Sequence, residues 1–222
     1  PPVVLDFSCS TVSVGRVILS AKQGIPIPRG WAVDAEGRPT IDPADGSVRF
    51  AFPFGQRGPT VNAATPLIFG NSLFVTANYG VGARLVRIDP DGFQEVWSRD
   101  DAMSSQYPTP IYHEGFLYGI HGREDLGVAE LRCIEVATGT VRWSVPDFGM
   151  AHLIAAEDKL LVQTVDGRLL LARASPDRFQ ALAEATVSPA VTRALPALAN
   201  GLLYVRENDG SQGRLKCLDL SE

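Results

Sequence analysis

Three histidines and two acidic pairs are the side chains that could carry acid–base or metal chemistry in this chain of 222 residues. The histidines, His113, His121 and His152, lack the His-x-His or His-x3-His spacing that brings two imidazoles to one metal ion. The acidic pairs, Asp100–Asp101 and Glu124–Asp125, lack the regular oxygen spacing of a calcium loop. The sequence therefore predicts solvated or loop-stabilising histidines and no metal site.

No nucleophile or phosphate cradle is recognisable either. Ser104–Ser105 make no nucleophile elbow, and Gly80–Gly82 precedes a predicted strand where a phosphate-binding loop needs a helix. The segment Ile120–Gly127 remains as a predicted binding loop, because it is glycine-hinged and mixed in charge. A structural hydrogen-bonding role is the alternative for this loop. Its candidate binding residues are His121, Arg123 and Glu124.

The elements that position these side chains come from a repeat. The phrases Leu73–Val75, Leu117–Gly119, Leu160–Val162 and Leu203–Val205 recur at spacings of 44, 43 and 43 residues. A period in the low forties, filled with short alternating apolar runs, is typical of propeller blades with about four strands each. The fold is therefore predicted to be mainly β, a partial β-propeller.

The predicted arc has about three full blades and two partial ones. The full blades span 64–99, 107–145 and 152–187, with a helix considered only at 177–185. One partial blade contributes a last strand at 48–52, and the other begins near Pro196 and stops before its outer strand. Closed propellers usually need between four and eight blades, so we expect association through the open edges of this arc.

Residues 1–46 do not share the repeat. An apolar strand at 3–5, a helix near 11–22 and a proline-rich loop to residue 46 form a predicted strand–helix–loop segment. The sequence therefore predicts two parts, 1–46 and a propeller arc at 47–222.

The net charge and the distribution of apolar residues restrict the classes of binding partner. A net charge of −5 without any Lys/Arg cluster argues against nucleic acid as a partner, and no apolar run approaches the ~20 residues of a membrane helix.

Of the cysteines Cys9, Cys133 and Cys217, the last two occupy equivalent places in the repeat, two periods apart. A disulfide between them is disfavoured, and we expect both to be buried small hydrophobes.

The second blade carries a specific motif, Cys133-Ile-Glu-Val-Ala-Thr-Gly-Thr-Val-Arg-Trp143, and Arg87–Trp97 is a weaker copy. The motif resembles the tryptophan-docking motif of quinoprotein-like (PQQ-like) propellers, and the resemblance covers 47–222. It implies that Trp97, Gly139 and Trp143 dock neighbouring blades. The chain looks most like non-catalytic members such as bacterial outer-membrane assembly propellers. The adjacent Cys-Cys pair of the quinone-dependent dehydrogenases is absent, so PQQ is disfavoured and no cofactor is expected.

The first 46 residues resemble another family. Val3–Ser10, Gly24–Trp31 and Asp34–Pro43 are similar to phrases of the malate/L-lactate dehydrogenase family, which includes ureidoglycolate and sulfolactate dehydrogenases. The resemblance implies that Asp6 is catalytic and Ser10 binds a nicotinamide cofactor, with a helix-capping role as the alternative for Asp6. It covers about a fifth of the chain and lacks the family's proton-donating histidine segment. NAD(P) is therefore expected only if this segment is part of an assembled enzyme.

Three functions follow from these observations. The first is a non-catalytic PQQ-like propeller that acts as a binding scaffold for protein or polysaccharide. The second is an NAD(P)-dependent malate/lactate-type 2-hydroxyacid oxidoreductase fragment, resting on 1–46. The third is a chimeric fragment without a function of its own. The compartment is open: periplasmic if the propeller resemblance governs, cytoplasmic if the dehydrogenase resemblance governs.

Overall fold

The computed structural model describes residues 17–19, 31–33, 40–41, 48–50, 52, 54–55, 63–89, 92–210 and 212–220. Two compact units divide after Gly55. The predicted boundary at residue 46 stays a prediction. Asp6, Cys9 and Ser10 lie outside the described residues. Within the described part, no helix is long and apolar enough to cross a membrane.

The N-terminal unit contains two short antiparallel pairs. Strand β1 (Val17–Leu19) pairs with β2 (Trp31–Val33), and β3 (Thr40–Ile41) pairs with β4 (Val48–Phe50). The predicted helix near 11–22 is therefore wrong over 17–19, and the predicted loop contains two strands. The β-branched residues Val17 and Ile18 favour an extended backbone, and pairing with β2 provides hydrogen-bond partners for that backbone.

The described part of the second unit contains three four-stranded antiparallel sheets and one three-stranded sheet, and neighbouring strands of each sheet are consecutive in the chain. The first blade comprises β5 (Leu67–Phe69), β6 (Ser72–Ala77), β7 (Gly82–Asp89) and β8 (Gly92–Arg99). The second comprises β9 (Ile111–His113), β10 (Phe116–Arg123), β11 (Val128–Glu135) and β12 (Val141–Val145). The third comprises β13 (Ala151–Ala156), β14 (Lys159–Thr164), β15 (Arg168–Arg173) and β16 (Ala181–Thr186). The fourth has three strands, β17 (Ala197–Ala199), β18 (Leu202–Asp209) and β19 (Gln212–Asp219).

The prediction of a mainly β, partial propeller is confirmed. All three predicted full blades are present, and the described fourth blade has three strands. The helix considered at 177–185 is wrong, because β16 occupies its second half. Its alanine-rich sequence has helical propensity, but pairing with β15 overrides that weak preference.

The core lies between consecutive blades. Phe74 and Leu85 of the first blade pack with Leu117 and Ile134 of the second. The opposite face of the second blade packs on the third, and Leu161 and Leu169 of the third blade pack on the fourth. Successive side chains of a strand point to opposite faces, so one strand contributes to two interfaces. Alternation therefore decides which of the two blade interfaces each side chain enters.

The two described cysteines differ in exposure. Cys133 is buried in the interface between the second and third blades, as expected. Cys217 is exposed, so the expectation of a buried residue is wrong there. It lies on β19, the last strand of its sheet, where no following strand is described to cover it.

Candidate binding face

One edge of the blades carries the polar side chains of interest, and we call it the loop face. It comprises the turns 78–81, 124–127 and 165–167 inside the blades and the inter-blade segments 100–110, 146–150 and 187–196. Because adjacent strands are antiparallel, a turn after a blade's second strand emerges at the same edge as the segment that enters that blade. Hydrogen bonds join these turns and segments into one surface. In turn 165–167 the Val165 amide donates to the Met150 carbonyl at 2.9 Å, and the Val165 carbonyl accepts from the Thr192 amide at 3.0 Å.

The segment between the first two blades is fixed by the first blade. Thr76 Oγ1 donates to the Met103 carbonyl at 2.7 Å, and Asn78 Nδ2 donates to the Ser104 carbonyl at 2.9 Å. The Ser105 amide donates to Thr76 Oγ1 at 3.0 Å. The side chains of Thr76 and Asn78 are buried, so water competes poorly for these hydrogen bonds. They hold Gln106 and Tyr107 in place above the second blade.

Glu124 is the centre of the loop face. Arg193 approaches its carboxylate with Nη2 at 2.6 Å and Nε at 3.0 Å, and the Tyr107 hydroxyl donates to it at 3.0 Å. The hydrogen bonds from Arg193, followed by that from Tyr107, hold the pKa of Glu124 below its usual range. Burial and then the nearby carboxylate raise the pKa of Tyr107. The network joins turn 124–127 of the second blade to the segment that leaves the third.

Arg123 lies beside this network. It pairs with Asp125 through Nε at 3.0 Å and through Nη2, and its guanidinium lies 4.2 Å from the centre of the Tyr79 ring. Gln106 Nε2 donates to the Tyr79 hydroxyl at 2.8 Å, and Gln106 Oε1 accepts from the Glu124 amide at 2.9 Å. Three blade elements are therefore tied together by hydrogen bonds and a cation–π contact.

His121 lies on β10, so the predicted binding loop is wrong in its first half. The strand continues through Arg123, and the turn comprises residues 124–127. Gly122 is not a loop hinge. It lies within the strand, where a Cβ would collide with the Val128 carbonyl oxygen of the neighbouring strand. His121 Nδ1 accepts a hydrogen bond from the Ser104 amide at 3.0 Å, and burial lowers the pKa of this imidazole. It serves as a structural acceptor.

The other two histidines also lie on strands. His152 is buried on β13, and its Nε2 lies 2.7 Å from the Arg193 carbonyl. Burial lowers the pKa of His152. His113 ends β9, with its Nε2 3.8 Å from Glu114. His121 and His152 thus stabilise inter-blade segments, one of the two predicted roles.

A pocket of about 240 Å³ opens between the second and third blades beside Glu124. Its floor is apolar, since Ala129, Phe148 and Met150 are buried. Arg123 and Asp166 are among its charged lining residues. Of the predicted binding residues, Arg123 and Glu124 line it and His121 does not.

Three carboxylates of the two acidic pairs, those of Asp101, Glu124 and Asp125, bind arginine side chains. Asp101 accepts from Arg99 at 2.8 Å, and the hydrogen bond from that guanidinium lowers the pKa of Asp101. The described residues contain no group of three or more His, Cys, Asp or Glu side chains placed to hold a metal ion. The pocket beside Glu124 can thus recognise a ligand through its charged rim and its apolar floor.

The predicted docking residues lie between blades. Trp97 Nε1 donates to the Val136 carbonyl at 2.8 Å, and its ring lies 3.2 Å from where a Cβ on Gly139 would stand. Trp143 Nε1 donates to the Ser175 carbonyl of the third blade at 2.9 Å. Each indole thus joins the outer strand of one blade to the next blade.

Sequence reasoning missed several residues of the loop face. They are Tyr79, Gln106, Tyr107, Phe148, Asp166 and Arg193. Arg193 is 69 residues from Glu124, a separation that no repeat or motif relates. The repeat predicts that the inter-blade segments share one edge of the blades, and this shared position is the signal that could have identified these residues.

Comparison with known proteins supports both resemblances. A family model described as malate/L-lactate dehydrogenase matches residues 1–65. The chain is 60% identical over 42 residues to (2R)-3-sulfolactate dehydrogenase (NADP(+)) of Chromohalobacter salexigens, covering 19% of this chain and 13% of the relative. It is 42% identical over 72 residues to Delta(1)-pyrroline-2-carboxylate reductase 2 of Burkholderia multivorans, covering 32% of this chain and 21% of the relative. The chain therefore spans a small fraction of these relatives.

Solved structures show the fold of most of the chain. BamB from Moraxella catarrhalis matches with a TM-score of 0.64 at 14% identity, covering 87% of this chain and 55% of that one. The WD40 domain of Toxoplasma gondii coronin matches with a TM-score of 0.61 at 11% identity, covering 92% of this chain and 57% of that one. Both are β-propellers, and the chain spans little more than half of each. Residues 1–65 thus resemble malate/L-lactate dehydrogenases in sequence, and most of the chain has the fold of part of a β-propeller.

Proposed function

We propose that residues 56–222 act as a non-catalytic binding scaffold that takes a segment of a partner protein at the loop face. The observation that carries this proposal is the pocket between the second and third blades. Its apolar floor can bury a side chain, and Arg123 and Asp166 at its rim can contact charged groups of either sign in addition to their present partners Asp125 and Arg168. Tyrosine and arginine around the pocket are the residue types that dominate protein interfaces.

The packing of the loop face supports recognition by a preformed surface. Glu124, Arg193, Tyr107 and Gln106 are held by one another before any partner arrives. Side chains that are already ordered lose little conformational entropy on binding. The affinity of such a surface depends mainly on what fills the pocket.

The test combines a peptide library with a glycan array. We expect the chain to select peptides, whose affinity is then measured by calorimetry. The double variant Arg123→Ser with Asp166→Asn should weaken binding at least roughly tenfold, about 1.4 kcal/mol. The matched control, Arg178→Ser with Asp177→Asn, changes the same charges in the connection after β15, at the opposite edge, and should bind as the wild type.

The outcomes are distinct. Glycan binding without peptide binding would replace the protein partner by a polysaccharide, and equal losses in both double variants would remove the loop face from consideration. Point variants are preferable to deletion of 121–127, because that deletion removes His121 and Gly122 from β10 and would disrupt the blade itself.

A second function is proposed for the N-terminal segment, as part of an NAD(P)-dependent oxidoreductase. Its support is the match of residues 1–65 to the dehydrogenase family model and the 60% identity over 42 residues to an NADP(+) enzyme. We expect the full chain to change NADPH fluorescence on titration, and Ser10→Ala to weaken that response. No response at millimolar cofactor would contradict it. If neither peptide, glycan nor cofactor binds, a chimeric fragment without its own function is the remaining hypothesis.

A further inference from the structure

The third blade lacks a tryptophan at the position that the first two blades use for docking. In the first blade Trp97 pairs with Leu85, and in the second Trp143 pairs with Cys133, each at a β-bulge between the third and fourth strands. In the third blade the same bulge follows Leu171, and its partner is Ala183. Ala183 therefore occupies the docking position.

A pocket of about 700 Å³ lies at the corresponding place between the third and fourth blades. Leu161, Leu169, Leu171 and Leu198 line it, and Ala183 lies on its wall. The first two of these side chains are about nine-tenths buried. Its volume is within the ~300–1,000 Å³ of ligand pockets in general.

The fourth blade retains the acceptor that an indole would use. Trp97 donates to the carbonyl of Val136, whose own amide bonds to the Gly115 carbonyl at 3.0 Å. Leu220 is the equivalent of Val136, because its amide bonds to the Gly201 carbonyl at 2.7 Å and it follows Cys217 as Val136 follows Cys133. In the third blade the equivalent residue is Ala174, and Trp143 donates one position further on, to the Ser175 carbonyl. Leu220 also lines the pocket.

We propose that this pocket binds a small planar aromatic molecule of the indole class, with its ring on the leucines and its N–H donated to the Leu220 carbonyl. The two preceding blade interfaces of the same chain specify the occupant, since each holds one indole ring and one indole hydrogen bond. At the other interfaces the ring belongs to the chain, whereas here an alanine leaves its place to a ligand. An apolar site of this kind binds aromatic molecules by burying their surface.

Binding of indole to the full chain, followed by ligand-observed NMR, tests the proposal. Saturable binding at one site is expected. Ala183→Trp should reduce it at least tenfold and raise the melting temperature, because the new side chain fills the pocket. Val96→Trp, a tryptophan at a 40% exposed position of the first blade's outer strand, is the matched control and should leave binding unchanged. If Ala183→Trp does not fold, Ala183→Leu should still weaken binding several-fold.

The hydrogen bond has its own probe. 1-Methylindole lacks the N–H donor and should bind several-fold more weakly than indole. The proposal is overturned if indole shows no saturable binding, if Ala183→Trp binds it as the wild type does, or if 1-methylindole binds equally well. Binding of a tryptophan-containing peptide without binding of free indole would also overturn it, because the occupant would then be a protein side chain.

Discussion

At the scale of single residues, Gly139 meets two separate constraints. Its φ of +70° lies in the left-handed region, and a Cβ there would stand 3.2 Å from the Trp97 ring. Gly127 has a similar φ of +65° with open space around it, so it isolates the backbone cost. We expect Gly127→Ala to destabilise the chain by about 1 kcal/mol and Gly139→Ala by roughly 2–3 kcal/mol in chemical denaturation. Equal losses would show that the indole contact adds nothing.

The buried histidines predict a pH dependence of stability. Burial lowers the pKa of His121 and of His152 in the folded state, while the unfolded chain has the usual value of about 6.5. Below that value the unfolded chain binds more protons, so the stability contribution is present at neutral pH and is lost as the pH falls through the folded pKa values. We expect the free energy of unfolding to decrease between about pH 7 and pH 5, by at most about 1.4 kcal/mol per pH unit for each histidine.

Conservative variants test whether these two histidines cause the pH dependence of the free energy of unfolding. Asn at position 121 can keep the acceptor for the Ser104 amide, and Gln at position 152 can keep the donor to the Arg193 carbonyl. The double variant His121→Asn with His152→Gln should fold with a flatter profile between pH 7 and pH 5. The loop-face carboxylate Glu124 stays ionised in that window, because its pKa is lowered. An unchanged slope would place the titrating groups elsewhere.

At the scale of elements, the outer strand of each blade depends on its docking residue. Trp143 contacts the third blade through its hydrogen bond to Ser175 and through Phe179, with ring centres 5.8 Å apart. Trp143→Ala should destabilise the chain by about 3 kcal/mol, since it leaves a cavity at a blade interface. Trp143→Phe keeps most of the packing but loses the N–H donor, so about 1–2 kcal/mol is expected. Thermal unfolding of both variants measures the difference, and equal losses would show that ring volume contributes little.

The elements were largely predictable from the sequence, whereas the site was not. Alternation and the period in the low forties located the three full blades, because both depend on local strand geometry and a repeated unit. Local propensity failed at 181–186, where pairing with β15 imposes an extended backbone on alanines. The loop face requires Arg193 to meet Glu124 and Gln106 to meet Tyr79, and these pairs form only after blades stack. Their separations carry no local signal.

At the scale of the whole molecule, β19 is an edge strand within the described residues. It is last in the order β17–β18–β19, so one side of its backbone has no described strand partner. Leu215 on this strand is 70% exposed. An exposed apolar edge strand is a template for pairing with another chain. We expect the 222-residue chain to form a concentration-dependent dimer through β19, measured by analytical ultracentrifugation.

A lysine on the edge should weaken this dimer. Leu215→Lys places a charge where two strands would pair, and we expect the dimer dissociation constant to rise at least roughly tenfold, about 1.4 kcal/mol. Leu126→Lys is the control, because Leu126 is 62% exposed but lies in a turn of the second blade. The exposed Cys217 is removed as Cys217→Ser in all samples, so that a disulfide between chains does not imitate strand pairing. If both lysine variants weaken the dimer equally, general hydrophobic contact and not the β19 edge holds the two chains together.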